Sequence, residues 1–195
     1  CDCGHILGSM PFGVKLKILG LRGLPASLLI KIVHAYGGIL GPAHPYGEKF
    51  MSMITTTMRK EKYKEKITAL MPQFDFVEIY NACESEETNA KARKLAEEYN
   101  KPGFGGSDAH RLDCIGMAYS EFPETVRSED DLIAFVKTCP KIECGGTHYE
   151  RTTKGKIGKL NEVIVDSFYV YNKVANGWRG RKRRRELDSI IENKL

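Results

Sequence analysis

A carboxylate and an imidazole lie two residues apart in the segment Gly105-Gly106-Ser107-Asp108-Ala109-His110, which follows a short apolar stretch. In an extended chain, residues i and i+2 project from the same side, so Asp108 and His110 can reach one metal ion together. The two glycines before them allow a sharp turn and a close approach of the backbone to a ligand. The alternative interpretation is a loop aspartate beside a surface histidine.

Two further strand-like segments end in polar side chains. The run from Gly38 to Gly47 carries His44 next to Pro45 and close to Pro42. Prolines restrict the backbone on both sides of this imidazole, which suits a metal ligand that must hold its geometry. The alternative for this residue is a satisfied histidine in a proline-rich turn. Between the two histidine segments, an alternating strand over residues 75–81 carries a carboxylate and an amide near its end.

The elements that must position these side chains alternate between helices and strands. One apolar stripe at helical spacing ends at Gly37-Gly38, a second precedes Gly103, and Ser128 begins a capping sequence for a helix through Lys137. The two stripes consist of Leu28, Leu29, Ile32, Val33 and Tyr36, and of Ala92, Leu95, Ala96 and Tyr99. Further strands are expected over residues 116–122 and 141–145, and a Lys-rich helical segment over 48–70. This alternation predicts a mostly parallel sheet, which a barrel can close.

The order of these segments resembles a known family. P-A-H-P-Y-G, F-V-E-I-Y-N-A and, after a helix, G-G-S-D-A-H are similar to the second half of the polymerase and histidinol phosphatase (PHP) superfamily. The similarity covers about residues 4 to 122, and G-S-D-A-H is its most specific part. The resemblance implies an α/β fold in the form of a partial or distorted β/α (TIM-like) barrel. It also implies a cluster of divalent metal ions at the carboxyl ends of the strands and hydrolysis of phosphoesters.

Carried over by position, the resemblance makes His44, Asp108 and His110 metal ligands. We expect these three side chains to converge on one point, at about 2.0 to 2.2 Å from the ion if zinc is bound. Mixed nitrogen and oxygen ligation suits manganese, zinc and iron, and the sequence does not choose among these cofactors.

Four other residues are candidates for supporting the metal or contacting the substrate. A supporting residue orients a ligand through a hydrogen bond, whereas an arginine beside the site can contact a substrate phosphate. The alternatives are a core histidine for His5 and a surface side chain for Arg111. The four residues are His5, Glu78, Asn81 and Arg111.

The first motifs of the family are missing from this sequence. Family members open with an H-x-H pair, followed by a D-H pair and a bridging Glu, but the five histidines here include no H-x-H. The segment from Cys3 to Gly8 is similar to the G-H-I-L strand that follows the bridging Glu. We therefore expect residues 1–150 to form a PHP-like β/α domain without its N-terminal part, lost by truncation, proteolysis or disorder. A natural remnant protein is the alternative, and in either case we expect the chain alone to hydrolyse phosphoesters poorly.

Composition limits the class of protein. Hydrophobic residues make up 42% of the 195 residues, which suffices for the core of a single domain and argues against disorder. No apolar run approaches the roughly 20 residues of a membrane helix, and no signal sequence begins the chain. Six scattered cysteines without a C-x-x-C pair indicate reduced cytosolic thiols. We expect a cytoplasmic protein that acts on a phosphorylated small molecule or a nucleic acid.

Two other functions remain open at this point. A non-catalytic PHP-like module would bind nucleic acid or a protein partner. A metal-dependent hydrolase would cleave another bond, such as an amide, because similar barrels carry similar clusters of His and Asp.

The last 45 residues, 151–195, are expected to form a helical, basic extension. Residues 179–195 carry seven Lys and Arg against three Asp and Glu, and so supply four of the five net positive charges of the chain. Such a cluster can attract a polyanion, and solvated terminal charge is the alternative.

Neutralising the basic residues among 179–185 is expected to raise KM for a nucleic-acid substrate and to leave turnover of a small phosphoester unchanged, because exposed charges act on encounter and binding. Steady-state kinetics at low and high salt measure this effect. The difference must shrink with salt, since the screening length is roughly 10 Å at 0.1 M ionic strength. A loss that does not depend on salt would indicate a structural role for the segment instead.

Overall fold

The computed structural model describes residues 4–16, 24–47, 52–54, 65 and 68–149, which form a mixed α/β fold. Its strands are β1 (Ile6–Ser9), β2 (Ile39–Pro42), β3 (Val77–Asn81), β4 (Gly103–Gly106), β5 (Ala118–Glu121) and β6 (Glu143–Gly146). Its helices are α1 (Ala26–Ala35), α2 (Glu86–Glu98) and α3 (Glu129–Lys137). The expected extension over 151–195 and most of the Lys-rich segment 48–70 lie outside the described residues.

The N-termini of α2 and α3 and the C-terminus of α1 follow local signals in the sequence. The Ser85 and Ser128 hydroxyls accept hydrogen bonds from the backbone N–H groups of Thr88 and Asp131, which caps α2 and α3. After α1, the N–H of Gly37 donates to the carbonyl of His34 and the N–H of Gly38 to that of Val33. This pair of bonds is a Schellman motif, and the φ of +78° at Gly37 is the left-handed conformation that it requires. The three predicted helices that lie within the described residues are confirmed.

The strands pair two by two, and the pairing differs from the expected one. β3 and β4 are parallel, whereas β1 pairs with β2 and β5 pairs with β6 in antiparallel register. The prediction of a mostly parallel sheet is therefore wrong for the described strands. The alternation of helices and strands predicts which element follows which, but it does not predict strand direction. A long connection lets the next strand run in either direction.

Side chains join the three strand pairs to one another. Between β2 and β3, the Asp75 carboxylate accepts from the N–H of Leu40, and the N–H of Asp75 donates to the Leu40 carbonyl at 2.8 Å. Between β4 and β5, the Ser120 hydroxyl accepts from the N–H of Gly105 at 2.8 Å and donates to its carbonyl at 3.2 Å. These bonds set the strands side by side, but the described strands do not close into a barrel.

The hydrophobic core lies between the helices and the strand pairs. Helices α1 and α2 pack on β2 and β3 through a buried cluster that includes Ile30, Leu40, Val77 and Leu95. Met53, in the Lys-rich segment, belongs to the same cluster and therefore contributes to core packing. Helix α3 contributes Ile133 and Val136 to a second cluster with Ile39 and Phe76. None of the helices in the described ranges is long and apolar enough to cross a membrane.

Candidate functional site

Five of the seven residues singled out in the sequence line one cavity of about 460 Å³. His44 and Asp108 follow the carboxyl ends of β2 and β4, while Glu78 lies near the start of β3 and Asn81 is its last residue. His5 precedes β1, and it reaches the same place because β1 runs antiparallel to β2 and Ile6 pairs with Pro42. The five polar lining residues are His5, His44, Glu78, Asn81 and Asp108.

His44 is held from three directions. Its backbone N–H donates to Glu78 Oε2 at 2.6 Å, its Nδ1 lies 3.1 Å from Ser52 Oγ, and its Nε2 lies 3.1 Å from His5 Nδ1. The residue is 4% exposed and has a φ of +29°, which is uncommon for any residue with a Cβ. Non-glycine residues held in such conformations cluster at functional sites, where surrounding contacts over-determine them.

A bulge in β3 brings Glu78 and Asn81 to the same side. The register against β4 shifts between Glu78 and Tyr80, so that Ile79 is an additional residue in this strand. In a regular strand, residues three apart face opposite sides, and the bulge removes that alternation. As a result the Asn81 side-chain amide donates to Glu78 Oε2 at 3.1 Å.

Asn81 is fixed in turn by helix α2. The Asn89 side chain accepts from the backbone N–H of Asn81 at 3.0 Å and donates to its carbonyl at 3.1 Å. The Asn81 side-chain oxygen accepts from the N–H of Cys83 at 2.9 Å. Since Asn81 and Asn89 are almost fully buried, this network anchors the cavity to the protein interior.

Burial raises the pKa of Glu78 to about 7, because the charged carboxylate is poorly solvated in this position. The hydrogen bonds from Asn81 and from the His44 backbone oppose this shift, and the carboxylates of Asp108 and Glu84 add to it. The side chain is 5% exposed. The cavity therefore holds a carboxyl group that is easily protonated beside two imidazoles, and a bound cation would favour its charged form.

Asp108 occupies the other wall of the cavity. Its φ is +48°, and the Tyr149 hydroxyl lies 2.7 Å from the carbonyl of Ser107 and 2.8 Å from that of Asp108. Burial first, and then a hydrogen bond with Cys83, raise the pKa of Tyr149, so its phenol keeps the proton that it donates.

His110 and Arg111 do not join the cavity lining. The left-handed conformation of Asp108 interrupts the extended chain on which the expected projection of residues i and i+2 to one side is based. His110 turns back onto the Asp108 carbonyl, 2.8 Å from its Nδ1, and its Nδ1 lies 3.8 Å from Asp108 Oδ1. Arg111 pairs with Asp113 at the surface. The structure thus brings His44 and Asp108 to the cavity, and His110 remains a predicted ligand.

The two glycines before Asp108 serve a different purpose from the expected one. Both lie within β4, where a Cβ at Gly105 would overlap the Tyr119 carbonyl and a Cβ at Gly106 would overlap Glu78 Oε1. They therefore permit close packing of the neighbouring strand and of the Glu78 carboxylate, and the turn is made by Asp108 itself.

Several residues around the site were not identified from the sequence. Ser52 and Glu84 are buried, and a Cβ at Gly47 would lie 2.5 Å from Ser52 Oγ, 2.8 Å from Glu84 Oε1 and 3.1 Å from His44 Nδ1. Asn89 and Tyr149 contact backbone groups of site residues. A polar residue at a buried position of an amphipathic helix, as at Asn89, is a signal that can be read from the stripe of α2.

The donors in the cavity fit a divalent metal in their chemistry but not in their number. Imidazole nitrogens and carboxylate oxygens are common metal ligands. Within the part of the chain that the structure describes, however, no three side chains of His, Cys, Asp or Glu are grouped so that they can hold an ion. A complete metal site therefore needs a further ligand or a rearrangement of those present.

Residues 86–138 match the family model described as PHP-associated. The match covers α2 to α3 and includes Asp108 and His110, and it confirms the resemblance to the C-terminal part of PHP superfamily proteins. The chain is also 43% identical over 58 residues to an uncharacterized protein of Methanocaldococcus jannaschii, a match that covers 29% of this chain and 24% of that relative. The chain thus spans about a quarter of that curated relative. No solved structure matches it.

The raised pKa of Glu78 predicts that stability falls as the pH rises from about 4.5 to 7. The pKa is about 7 in the folded chain and 4.5 in the unfolded chain, so the folded state binds more protons between these values. The free energy of unfolding therefore decreases across this window, by at most about 3 kcal/mol, and levels off above it. Urea unfolding between pH 4.5 and 8 measures the slope.

The variant Glu78→Gln removes the titrating group and is expected to flatten this pH dependence, while the exposed control Glu124→Gln keeps it. If wild type and Glu78→Gln have the same slope, the carboxylate does not titrate in this range.

Proposed function

We propose that this chain is the C-terminal part of a PHP-family, metal-dependent phosphoesterase and that the described cavity belongs to its active site. The proposal rests on one observation: two imidazoles, two carboxylates and an amide line the same cavity. The match of residues 86–138 to a PHP-associated domain supports the family.

The acidic side chains at the cavity favour a bound cation between the protein and its substrate. Glu78, Glu84 and Asp108 lie close enough for the two other carboxylates to raise the pKa of Glu78. A phosphate ester is itself an anion, so these groups would repel it unless positive charge intervened. A divalent ion such as Mn²⁺, Zn²⁺ or Fe²⁺ between the carboxylates and the phosphate would remove this repulsion.

His44 and Asp108 would hold the metal, with His5 the nearest additional nitrogen donor and His110 the additional ligand that the family resemblance implies. A bound divalent ion supplies an acidified water and neutralises charge on the phosphate. Positive φ values at both His44 and Asp108 support their assignment as ligands, because such conformations persist where surrounding structure enforces them.

The chain's own residues orient these donors. Ser52 faces Nδ1 of His44, which fixes the ring and leaves Nε2 on the side of His5. Glu78 holds the backbone of His44, and Asn81 holds the Glu78 carboxylate. Hydrogen-bond partners of this kind set the tautomer and direction of a ligating imidazole.

The described strands are proposed to be one side of a distorted β/α barrel. In chain order, β2 lies beside β3 and β4 beside β5, and residues of β1, β3 and β4 line the cavity. In barrels of this type, functional residues collect at the carboxyl ends of the strands, where His44 and Asp108 stand. The proposed substrate is a phosphorylated small molecule or a nucleic acid.

Hydrolysis of p-nitrophenyl phosphate, an oligonucleotide and a sugar phosphate by the full-length gene product, with Mn²⁺ added, tests this function. We expect His44→Gln and Asp108→Asn to lower kcat/KM by roughly 100-fold, because each removes a donor from the metal.

The matched controls are His34→Gln and Asp113→Asn, which change the same residue types outside the cavity and are expected to keep the activity. Cleavage of amides instead of phosphoesters would identify a hydrolase of another bond. Binding of nucleic acid without hydrolysis of any substrate would identify a non-catalytic module. Phosphoester hydrolysis that survives both cavity substitutions would refute the assigned site.

A further inference from the structure

The conformation of Asp108 needs support that its own sequence does not supply. It has a φ of +48°, and its side chain lines the cavity. Of the residues with a Cβ, Asn and Asp enter this region most readily, but it remains unfavourable compared with extended or helical backbone. Contacts from the rest of the structure must therefore keep the peptide groups on either side of Asp108 in place.

One side of this segment is tied to β5. The Ser107 hydroxyl donates to the Ala118 carbonyl at 3.1 Å and accepts from the Ala118 N–H at 3.0 Å. These bonds fix the side chain of Ser107. They do not involve the carbonyl groups of Ser107 and Asp108, whose orientation defines the turn.

Tyr149 contacts both of these carbonyls. Its hydroxyl lies 2.7 Å from the Ser107 oxygen and 2.8 Å from the Asp108 oxygen, so a single proton is shared between two acceptors. Two successive carbonyls can point at one donor only when the backbone between them turns, as it does at Asp108. The phenol therefore selects this turn over an extended chain.

The segment that carries Tyr149 is itself anchored. The N–H of Tyr149 donates to the Ala82 carbonyl at 3.1 Å, and the N–H of Thr147 donates to the Met117 carbonyl at 2.7 Å. The Ala82 N–H in turn donates to the Gly106 carbonyl at 3.1 Å. The backbone that carries the phenol is thus hydrogen-bonded to residues at the ends of β3 and β4, next to the turn at Asp108.

We propose that Tyr149 is a positioning residue, whose hydroxyl holds the Ser107 and Asp108 carbonyls in the turn that directs the Asp108 carboxylate into the cavity. Its effect on the backbone stands on the geometry alone. Its effect on metal binding rests on the proposed function.

The variant Tyr149→Phe tests this role, since it removes the hydroxyl and keeps the ring. The control is Tyr119→Phe, which makes the same change on a half-exposed tyrosine of β5. NMR measures the ¹³Cα and carbonyl ¹³C shifts of Asp108, which report its backbone conformation, and calorimetry measures Mn²⁺ affinity. We expect Tyr149→Phe to move the Asp108 shifts away from left-handed values and to weaken Mn²⁺ binding at least 10-fold, and Tyr119→Phe to do neither.

A rescue experiment separates the effect of the hydrogen-bond donor from that of the aromatic ring. Replacing Tyr149 by p-aminophenylalanine restores a donor at the same position and is expected to restore the Asp108 shifts. A purely packing role predicts that Phe and p-aminophenylalanine behave alike. If Tyr149→Phe fails to fold, the p-aminophenylalanine variant alone decides: wild-type Asp108 shifts support the role of the donor, and displaced shifts or an unfolded chain overturn it.

The two readouts distinguish this proposal from the proposed function. Unchanged Asp108 shifts in folded Tyr149→Phe overturn the positioning role, whatever the metal affinity. Displaced shifts in a protein whose wild type binds no Mn²⁺ support the positioning role and refute the metal site.

Discussion

The cavity depends on one buried carboxylate. Glu78 accepts the backbone N–H of His44 and the side-chain amide of Asn81 on the same oxygen, so it joins β2 to β3 where the site is built. Asn89 then connects this pair to helix α2 through both backbone groups of Asn81. Removing one partner would leave buried polar groups unsatisfied, which costs more than the bond itself contributes.

Much of this arrangement can be predicted from local patterns. Helices α1, α2 and α3 follow from apolar stripes and serine caps, since these signals act over a few residues. The placement of His44, Asn81 and Asp108 near the carboxyl ends of strands likewise follows from short segments and their order. Family resemblance adds that these segments belong together, and the match over residues 86–138 confirms the resemblance for the part of the chain that includes Asp108.

The remainder depends on geometry that short patterns do not encode. The bulge at Ile79 decides that Glu78 and Asn81 share a face, and the antiparallel pairing of β1 decides that His5 meets His44. With the left-handed backbone at Asp108, the His110 ring lies against the Asp108 carbonyl and outside the cavity lining. Each feature is set by contacts between distant segments, as the bond from Tyr149 to the Asp108 carbonyl illustrates.

Anomalous diffraction at the zinc edge from crystals of the full-length gene product, grown with Zn²⁺, tests the central claim most directly. In the proposed site, the cavity holds a divalent metal through His44 and Asp108. The predicted result is a peak in the cavity at about 2.0 to 2.2 Å from a nitrogen of His44 and an oxygen of Asp108. A peak that neither side chain contacts, or a cavity without any peak in crystals that contain bound zinc elsewhere, would contradict the claim.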